Sequence, residues 1–313
     1  MPQAGALRLG QLAAAASVGL AAARGTVRIR AIDAARQSSH TLIPSTAFDD
    51  AWIQVDHTAD PQFFVNLLDA TRAHLLERAQ ASPVEFFEPL ALAQGLNVLD
   101  VGCGTGDLLR LLAPLVAPGR AVGIDLSETM IAEARSRSGL TAPNLIFEPG
   151  DVLSLQFPDG AFERVMANQV LVHLPDPWSA LAEMCRVVAG DGLISITEMD
   201  WGTMIVESSD RELSRRFSQL TSDGLRNGLI ARELPGRLRE LGLKRVAIHP
   251  EVRLGQALDS FHRWFIVPSL SHFTRIGAIS QAESDAFLSD LEERAIQGRY
   301  FSSLISYTII AGR

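Results

Sequence analysis

Five short apolar runs separated by helical stretches predict an α/β fold with a doubly wound, mostly parallel sheet. Two observations carry this expectation. The run Val98-Leu99-Asp100-Val101 ends at three alternate glycines, Gly102, Gly104 and Gly106, and a helical pattern starts at Asp107. The strand–helix rhythm then repeats through Ala121–Asp125, Leu145–Pro149, Phe162–Ala167 and Leu193–Glu198. Sheets of this kind bind ligands at the carboxyl ends of their strands.

Taken in order, residues 1–45 are rich in Ala, Arg and Ser and hold no aromatic residue, so a weakly ordered leader is expected ahead of a domain over 46–313. Within the leader, Leu12–Ala23 lies between Arg8 and Arg24 and resembles the apolar part of an export signal. It falls short of the ~18–20 residues that span a bilayer. Phe63–Ala79 reads as an amphipathic helix with Phe64, Leu67, Leu68, His74, Leu75 and Leu76 near one stripe. A shorter helix starts after Ser82-Pro83, and Gly95 stops it. The sheet core is expected over about 96–200, 230–255 and 299–313. Ser127 is a plausible N-cap for a helix reaching Arg137. Pro177–Val188 reads as an amphipathic helix, and Asp191-Gly192 as the turn into strand five. Two segments, 203–228 and 256–298, interrupt the rhythm as helical insertions. The second is rich in aromatics and histidine, with His262, Phe265, His272 and Phe273. Glu233–Leu241 reads as a helix, Arg245–Leu254 and Tyr300–Ala311 as strands.

Composition narrows the function. At 313 residues and 47% hydrophobic content, the chain can fill one large core. Its 28 basic and 36 acidic residues leave a net charge of −8, with no basic cluster to grip nucleic acid. A small-molecule partner is favoured, with no membrane partner. Cys103 and Cys185 cannot build a disulfide framework. They read as reduced, packed thiols, which fits a cytoplasmic enzyme and opposes export. No Cys/His spacing suggests a metal.

The glycine spacing excludes two ligand classes. Dinucleotide-binding turns read G-x-G-x-x-G, and here the third glycine comes one residue early. No Lys-Ser/Thr pair follows, so a phosphate-gripping loop is not expected. Asp100 ahead of Gly102 would repel a pyrophosphate and suits a ligand carrying a cationic amino group.

Val98-Leu99-Asp100-Val101-Gly102-Cys103-Gly104-Thr105-Gly106 closely resembles the first motif of class I S-adenosylmethionine-dependent methyltransferases. The later motifs agree in order. The resemblance spans about Phe48 to the C-terminus, most specifically 97–198, and is nearest the ubiquinone/menaquinone-biosynthesis-like small-molecule branch. It implies a Rossmann-like, seven-stranded sheet whose last two strands form an antiparallel pair, with the helical insertions serving as a lid. It implies S-adenosylmethionine as cofactor, held by Asp100, Gly102, Cys103, Gly104, Thr105 and Gly106. It makes Asp125 the ribose acid, with Leu126 and Met130 beside the adenine. The bland reading of Asp125 is a helix-capping acid. Gly150, Asp151 and Val152 would meet the adenine, although an Asp after Gly is also common in turns. Asn168 and Gln169 end strand four in the position of the fourth motif, facing the methionine end.

The acceptor side is less specific. His173 is the candidate general base, because imidazole can take a proton near neutral pH. Its bland reading is a histidine satisfied by a backbone carbonyl. Asp200, Trp201, His262, Phe265 and His272 are the candidate substrate-pocket residues. Trp201 reads more readily as cap packing than as a stacking platform, and the aromatic helices more readily as the core of an insertion. The expected reaction is in-line methyl transfer to a small, apolar or aromatic metabolite of secondary or quinone-like metabolism, by a monomer or homodimer. A same-fold enzyme that binds the cofactor but catalyses a cyclisation or rearrangement keeps every motif. A nucleic-acid methyltransferase is opposed by the acidic balance and by the absence of an Asn-Pro-Pro-Tyr run.

Overall fold

The computed structural model describes residues 50–139, 142–258 and 260–313, with backbone alone over 260–264. The leader expected over 1–45 lies outside the described residues. In chain order the first elements are α1 (Pro61–Ala81), α2 (Pro83–Phe86), β1 (Val98–Val101), α3 (Asp107–Val116), β2 (Ala121–Asp125), α4 (Glu128–Ser138) and β3 (Leu145–Pro149). They are followed by β4 (Phe162–Asn168), α5 (Pro177–Val187), β5 (Val188–Val206), α6 (Arg211–Gly224) and α7 (Ile230–Glu240). The chain closes with β6 (Arg245–Gly255), α8 (Ser260–Arg275), α9 (Gln281–Ile296) and β7 (Ser302–Gly312).

The strands form one seven-stranded sheet in the order β3-β2-β1-β4-β5-β7-β6. β1 to β5 pair in parallel, and β7 runs antiparallel to both its neighbours. Chain order reverses between β1 and β4, which opens a crevice at the carboxyl ends of those strands. The two-residue period of a strand sorts β1 into two cores. Leu99 and Val101 face one with Val165, Ile194, Leu181 of α5 and Leu234 of α7. Val98 faces the other with Leu109 and Leu112 of α3, Ile131 of α4 and Phe147. A third core lies in the inserted helices, where Phe217 of α6 packs with Ile266 and Phe273 of α8 and Phe287 of α9.

Helix starts follow local chemistry. Ser127 accepts a hydrogen bond from the Met130 N–H at 3.1 Å, as its spacing suggested. Asp210 caps α6 through the Leu213 N–H at 2.9 Å. Ser280 and Glu283 form a reciprocal capping box on α9.

Three expectations need correction. β5 does not turn at Asp191-Gly192 or stop at Glu198, but runs from Val188 to Val206. β7 pairs with it through Asp200 and, after a register shift, through Ile205 and Val206. A partner a hundred residues downstream thus extends the strand, and local sequence does not reveal it. α1 buries Phe64, Val65, Leu67, Arg72 and Ala79, while His74 is exposed. The expected helix over 208–228 is shorter, and 225–229 forms a connecting turn whose Gly228 carbonyl accepts from the Trp201 N–H at 3.1 Å.

Candidate functional site

The glycine turn after β1 takes a backbone shape that side chains resist. Gly102, Gly104 and Gly106 have φ values of 65°, 56° and 75°. A Cβ at Gly102 would lie 2.5 Å from Val170 Cγ2, and one at Gly104 would lie 2.5 Å from Leu68 Cδ2. The turn is bare where it lines the crevice and closely packed against the loop after β4 and against α1.

Asp125 ends β2 beside this turn. Its Oδ2 accepts from the Gly104 N–H at 2.8 Å and its Oδ1 from the Ser127 N–H at 3.0 Å. Each carboxylate oxygen can accept more than one hydrogen bond, so both keep capacity for a ligand. Burial pushes the Asp125 pKa up, against these two bonds and the nearby Arg72 guanidinium. Asp56 secures the segment before α1 to the start of α4, accepting from Ser127 Oγ, the Glu128 N–H and the Thr129 N–H at 2.7–3.1 Å. Burial opposes its charge, but those hydrogen bonds prevail and lower its pKa.

One crevice brings together Gly102, Gly104, Asp125, Leu126, Met130, Gly150, Asp151, Val152, Gln169, His173, Trp201 and Phe265. These twelve come from the segments that follow β1 to β4, with Asp125 at the end of β2, from within β5, and from α4 and α8. Leu126 is exposed at 51%, an apolar side chain left open beside Met130. Asp151 accepts from the Leu153 N–H at 2.9 Å, and Gln169 holds a left-handed φ of 56° just past β4. The His173 ring stacks on Trp52 at 5.6 Å, and the His173 carbonyl accepts from Arg226 at 2.6 Å. Trp201 and Phe265 stack at 4.9 Å.

Other candidates stand behind the crevice wall. Asp100 is buried, and its pKa is pushed up to about 7 by burial, with Arg72 lowering it and Asp125 raising it. Cys103 packs in the core under the turn, and burial raises its thiol well above the usual range. Thr105 Oγ1 donates to Asp107 at 3.0 Å, and Gly106 abuts Phe147 and Ala134. These three shape the turn from below. Asn168 is buried with its Oδ1 unpartnered.

The acceptor-side candidates scatter more. Asp200 is 2% exposed and turned away, paired with Arg232 Nε at 2.8 Å and accepting from the Gly202 N–H at 3.2 Å. His272 lies in the inserted core, with Nδ1 2.9 Å from Arg275 and its ring edge-on to Phe273. It follows Phe265 by seven residues, which keeps it on the same helix face but carries it about 10 Å along the axis. The His262 side chain lies outside the described residues.

Two residues of the wall lie outside the candidate set: Arg72, which could hold a cofactor carboxylate but reads more readily as a solvated helical arginine, and Glu198. Arg72 on α1 is 7% exposed and lines the crevice, where it donates to the Asn168 carbonyl at 3.1 Å. It looks like any helical arginine in the sequence, and no local signal marks it. Glu198 on β5 is fully buried and lines the crevice too. Its signal is an acid ending an apolar strand run, but a turn-forming acid has the same signature. Among the described residues no cluster of His, Cys, Asp or Glu is suited to a metal ion, and no helix is long and apolar enough to cross a membrane.

A family model described as a methyltransferase domain matches residues 98–192. An uncharacterised 37.1 kDa protein in transposon TN4556 of Streptomyces fradiae is 34% identical over 215 residues, covering 68% of this chain and 56% of that protein. A demethylmenaquinone methyltransferase of Staphylococcus aureus is 34% identical over 118 residues, covering 37% of this chain and 48% of that enzyme. The chain spans about half the length of the curated relatives it matches. The crystal structure of the YcgJ protein from Bacillus subtilis aligns with a TM-score of 0.51 at 18% identity, covering 73% of this chain and 97% of YcgJ. That likeness is one of fold.

Proposed function

The chain belongs to the class I S-adenosylmethionine-dependent methyltransferases, and from that premise we propose that it methylates a small, apolar or aromatic molecule in the crevice above β1, β4 and β5. One observation carries the proposal: Asp125 and the Trp201–Phe265 pair line the same crevice, so donor and acceptor ends meet in one space.

The residues present fit the cofactor of this family. Asp125 would accept from the two ribose hydroxyls, and Leu126, Met130, Asp151 and Val152 would enclose the adenine. Gly102 and Gly104 let the ligand approach the backbone. The carboxylate would meet Arg72, while Asp100, buried behind the wall, would act on the cationic amino group through its charge alone. S-adenosylmethionine supplies a methyl group on a sulfonium, already activated for displacement. The chain then has three tasks, to align the acceptor, to exclude water and to handle a proton. Alignment of this kind contributes up to ~7–11 kcal/mol of barrier lowering. Trp201, Phe265, Leu225 and Met199 form an apolar wall that suits an uncharged acceptor and keeps water out. A base is needed only where the acceptor arrives protonated, and His173 lines the crevice as its candidate.

The test incubates the protein with S-adenosylmethionine and a panel of small phenols, quinols and aliphatic alcohols, read by mass spectrometry. A product heavier by one CH2 is expected. A new product of unchanged mass would instead support a rearrangement. His173→Ala is expected to flatten the pH–rate profile without changing donor affinity, and an unaltered profile removes it as the base.

A further inference from the structure

Glu198 sits one residue past the point where β5 pairs with the end of β4, level with the crevice floor. Its Oε1 accepts from the Val170 N–H at 3.0 Å and the Leu171 N–H at 2.7 Å. That oxygen caps the turn leading to His173. Capping uses only one side of the carboxyl group. The other oxygen, Oε2, is buried without a hydrogen-bond partner. A buried acceptor left unmet is unfavourable unless a ligand completes it.

Its surroundings define what that ligand is. Val172, Leu174, Met199 and Leu225 are the apolar neighbours along the crevice, and Trp201 and Phe265 give it a flat aromatic boundary. Apart from His173, the other acidic and basic side chains of the crevice, Arg72, Asp125 and Asp151, belong to the half assigned to the cofactor. An anionic acceptor would meet no cation beside Glu198, whereas a hydroxyl finds an acceptor in Oε2.

We propose that Glu198 Oε2 binds a hydroxyl of the methyl acceptor, and that the acceptor is a flat, uncharged compound of the phenol or enol class seated against Trp201 and Phe265. The proposal rests on the methyl-transfer reading for the word acceptor, but the hydroxyl site itself is read by binding.

The contact is pH-dependent. Burial, opposed by backbone hydrogen bonds from Leu171, Val170 and Val172, pushes the Glu198 pKa up to about 8. The titratable groups on the elements packed around it are Tyr307, opposite it on β7, and His173, on the turn it caps. Arg72 of α1 is held at the Asn168 carbonyl, and Arg232 of α7 is committed to Asp200. Losing its proton makes Oε2 a charge-assisted acceptor, so its preference for a hydroxyl grows as pH rises through about 8.

The test uses the full chain saturated with S-adenosylhomocysteine and two probes of one shape, naphthalen-2-ol and naphthalene, titrated by calorimetry from about pH 6 to about pH 9. The wild type is expected to bind the naphthol about tenfold or more tighter than the hydrocarbon at the upper end, with the ratio shrinking toward the lower end. Glu198→Gln keeps an oxygen for the Val170 and Leu171 amides but cannot titrate, so its ratio is expected to be lower and flat. Glu198→Asp withdraws the carboxylate by one methylene and is expected to lower the ratio while retaining its pH dependence. S-adenosylhomocysteine affinity, measured in parallel, reports whether each variant keeps the crevice. A ratio near one in the wild type, or the same pH dependence in all three proteins, overturns the proposal. Transfer of a methyl group to the naphthol is followed separately by mass, so failure of the reaction is distinguishable from failure of the hydroxyl site.

Discussion

Asp125 and Arg72 both line the crevice, and they differ in how far local sequence marks them. Asp125 closes an apolar run beside a glycine turn, and that local pattern places its carboxylate at a strand end wherever the rest of the chain goes. Asp125→Ala is expected to weaken S-adenosylmethionine binding about 10- to 100-fold in calorimetry, because hydrogen bonds to a charged group contribute about 1.5–3 kcal/mol each. Unchanged affinity rules out the ribose assignment. Arg72 is half a helix and a long loop away from the strands it serves. Its guanidinium lowers the pKa of both Asp100 and Asp125 against the burial that raises them. Arg72→Met is expected to push both carboxyls further up, and Asp100, already at about 7, is then less ionised near neutral pH. Donor affinity should then fall about tenfold or more at about pH 7 and partly recover by about pH 9, where Asp100 ionises again. A loss that does not vary with pH assigns Arg72 to packing or to the donor carboxylate alone.

At the scale of the element, β1 to β4 and the helices between them lie close to their expected bounds. Each is specified locally by a β-branched run, a turn residue or a cap. The glycine turn is the most sharply specified of all. Gly102→Ala combines a left-handed φ of 65° with a Cβ 2.5 Å from Val170. Strain of about 1–2 kcal/mol and overpacking of about 1–3 kcal/mol are expected to lower the melting temperature and weaken donor binding together. A variant with wild-type stability and affinity would show that the turn has room to shift. β5 is the element that local sequence misjudges. It reaches Val206 because β7 continues alongside it, and that extension delivers Trp201 to the crevice and turns Asp200 into a partner for Arg232. α8 carries the converse lesson, since Phe265 and His272 share a face but not a location.

For the whole molecule, two buried carboxyls at the crevice couple folding to pH. On folding, Glu198 moves from its ordinary 4.5 to about 8, and Asp100 from 3.8 to about 7. Between those values the folded chain keeps protons that the unfolded chain releases. The stability each group contributes is full below its unfolded pKa and is lost as pH rises through its folded one. The melting temperature is therefore expected to fall between about pH 4 and about pH 8. Glu198→Gln removes one of the two titrations, so its melting temperature should decline less over the same range. Parallel curves for the two proteins would show that Glu198 ionises in the folded chain as it does in water.

The amino-acid sequence alone settled the parallel sheet, the glycine turn and the acids at strand ends, because short-range chemistry specifies strands, caps and left-handed turns. The resemblance of its first motif, Val98 to Gly106, pointed to the cofactor. Which distant groups share the crevice was decided only by the tertiary structure. Arg72, Glu198 and the Trp201–Phe265 pair come from α1, β5 and α8, and their meeting depends on sheet order and helix docking. Burial then supplies what no residue type carries in itself, a carboxyl held near pKa 8 with one oxygen unmet.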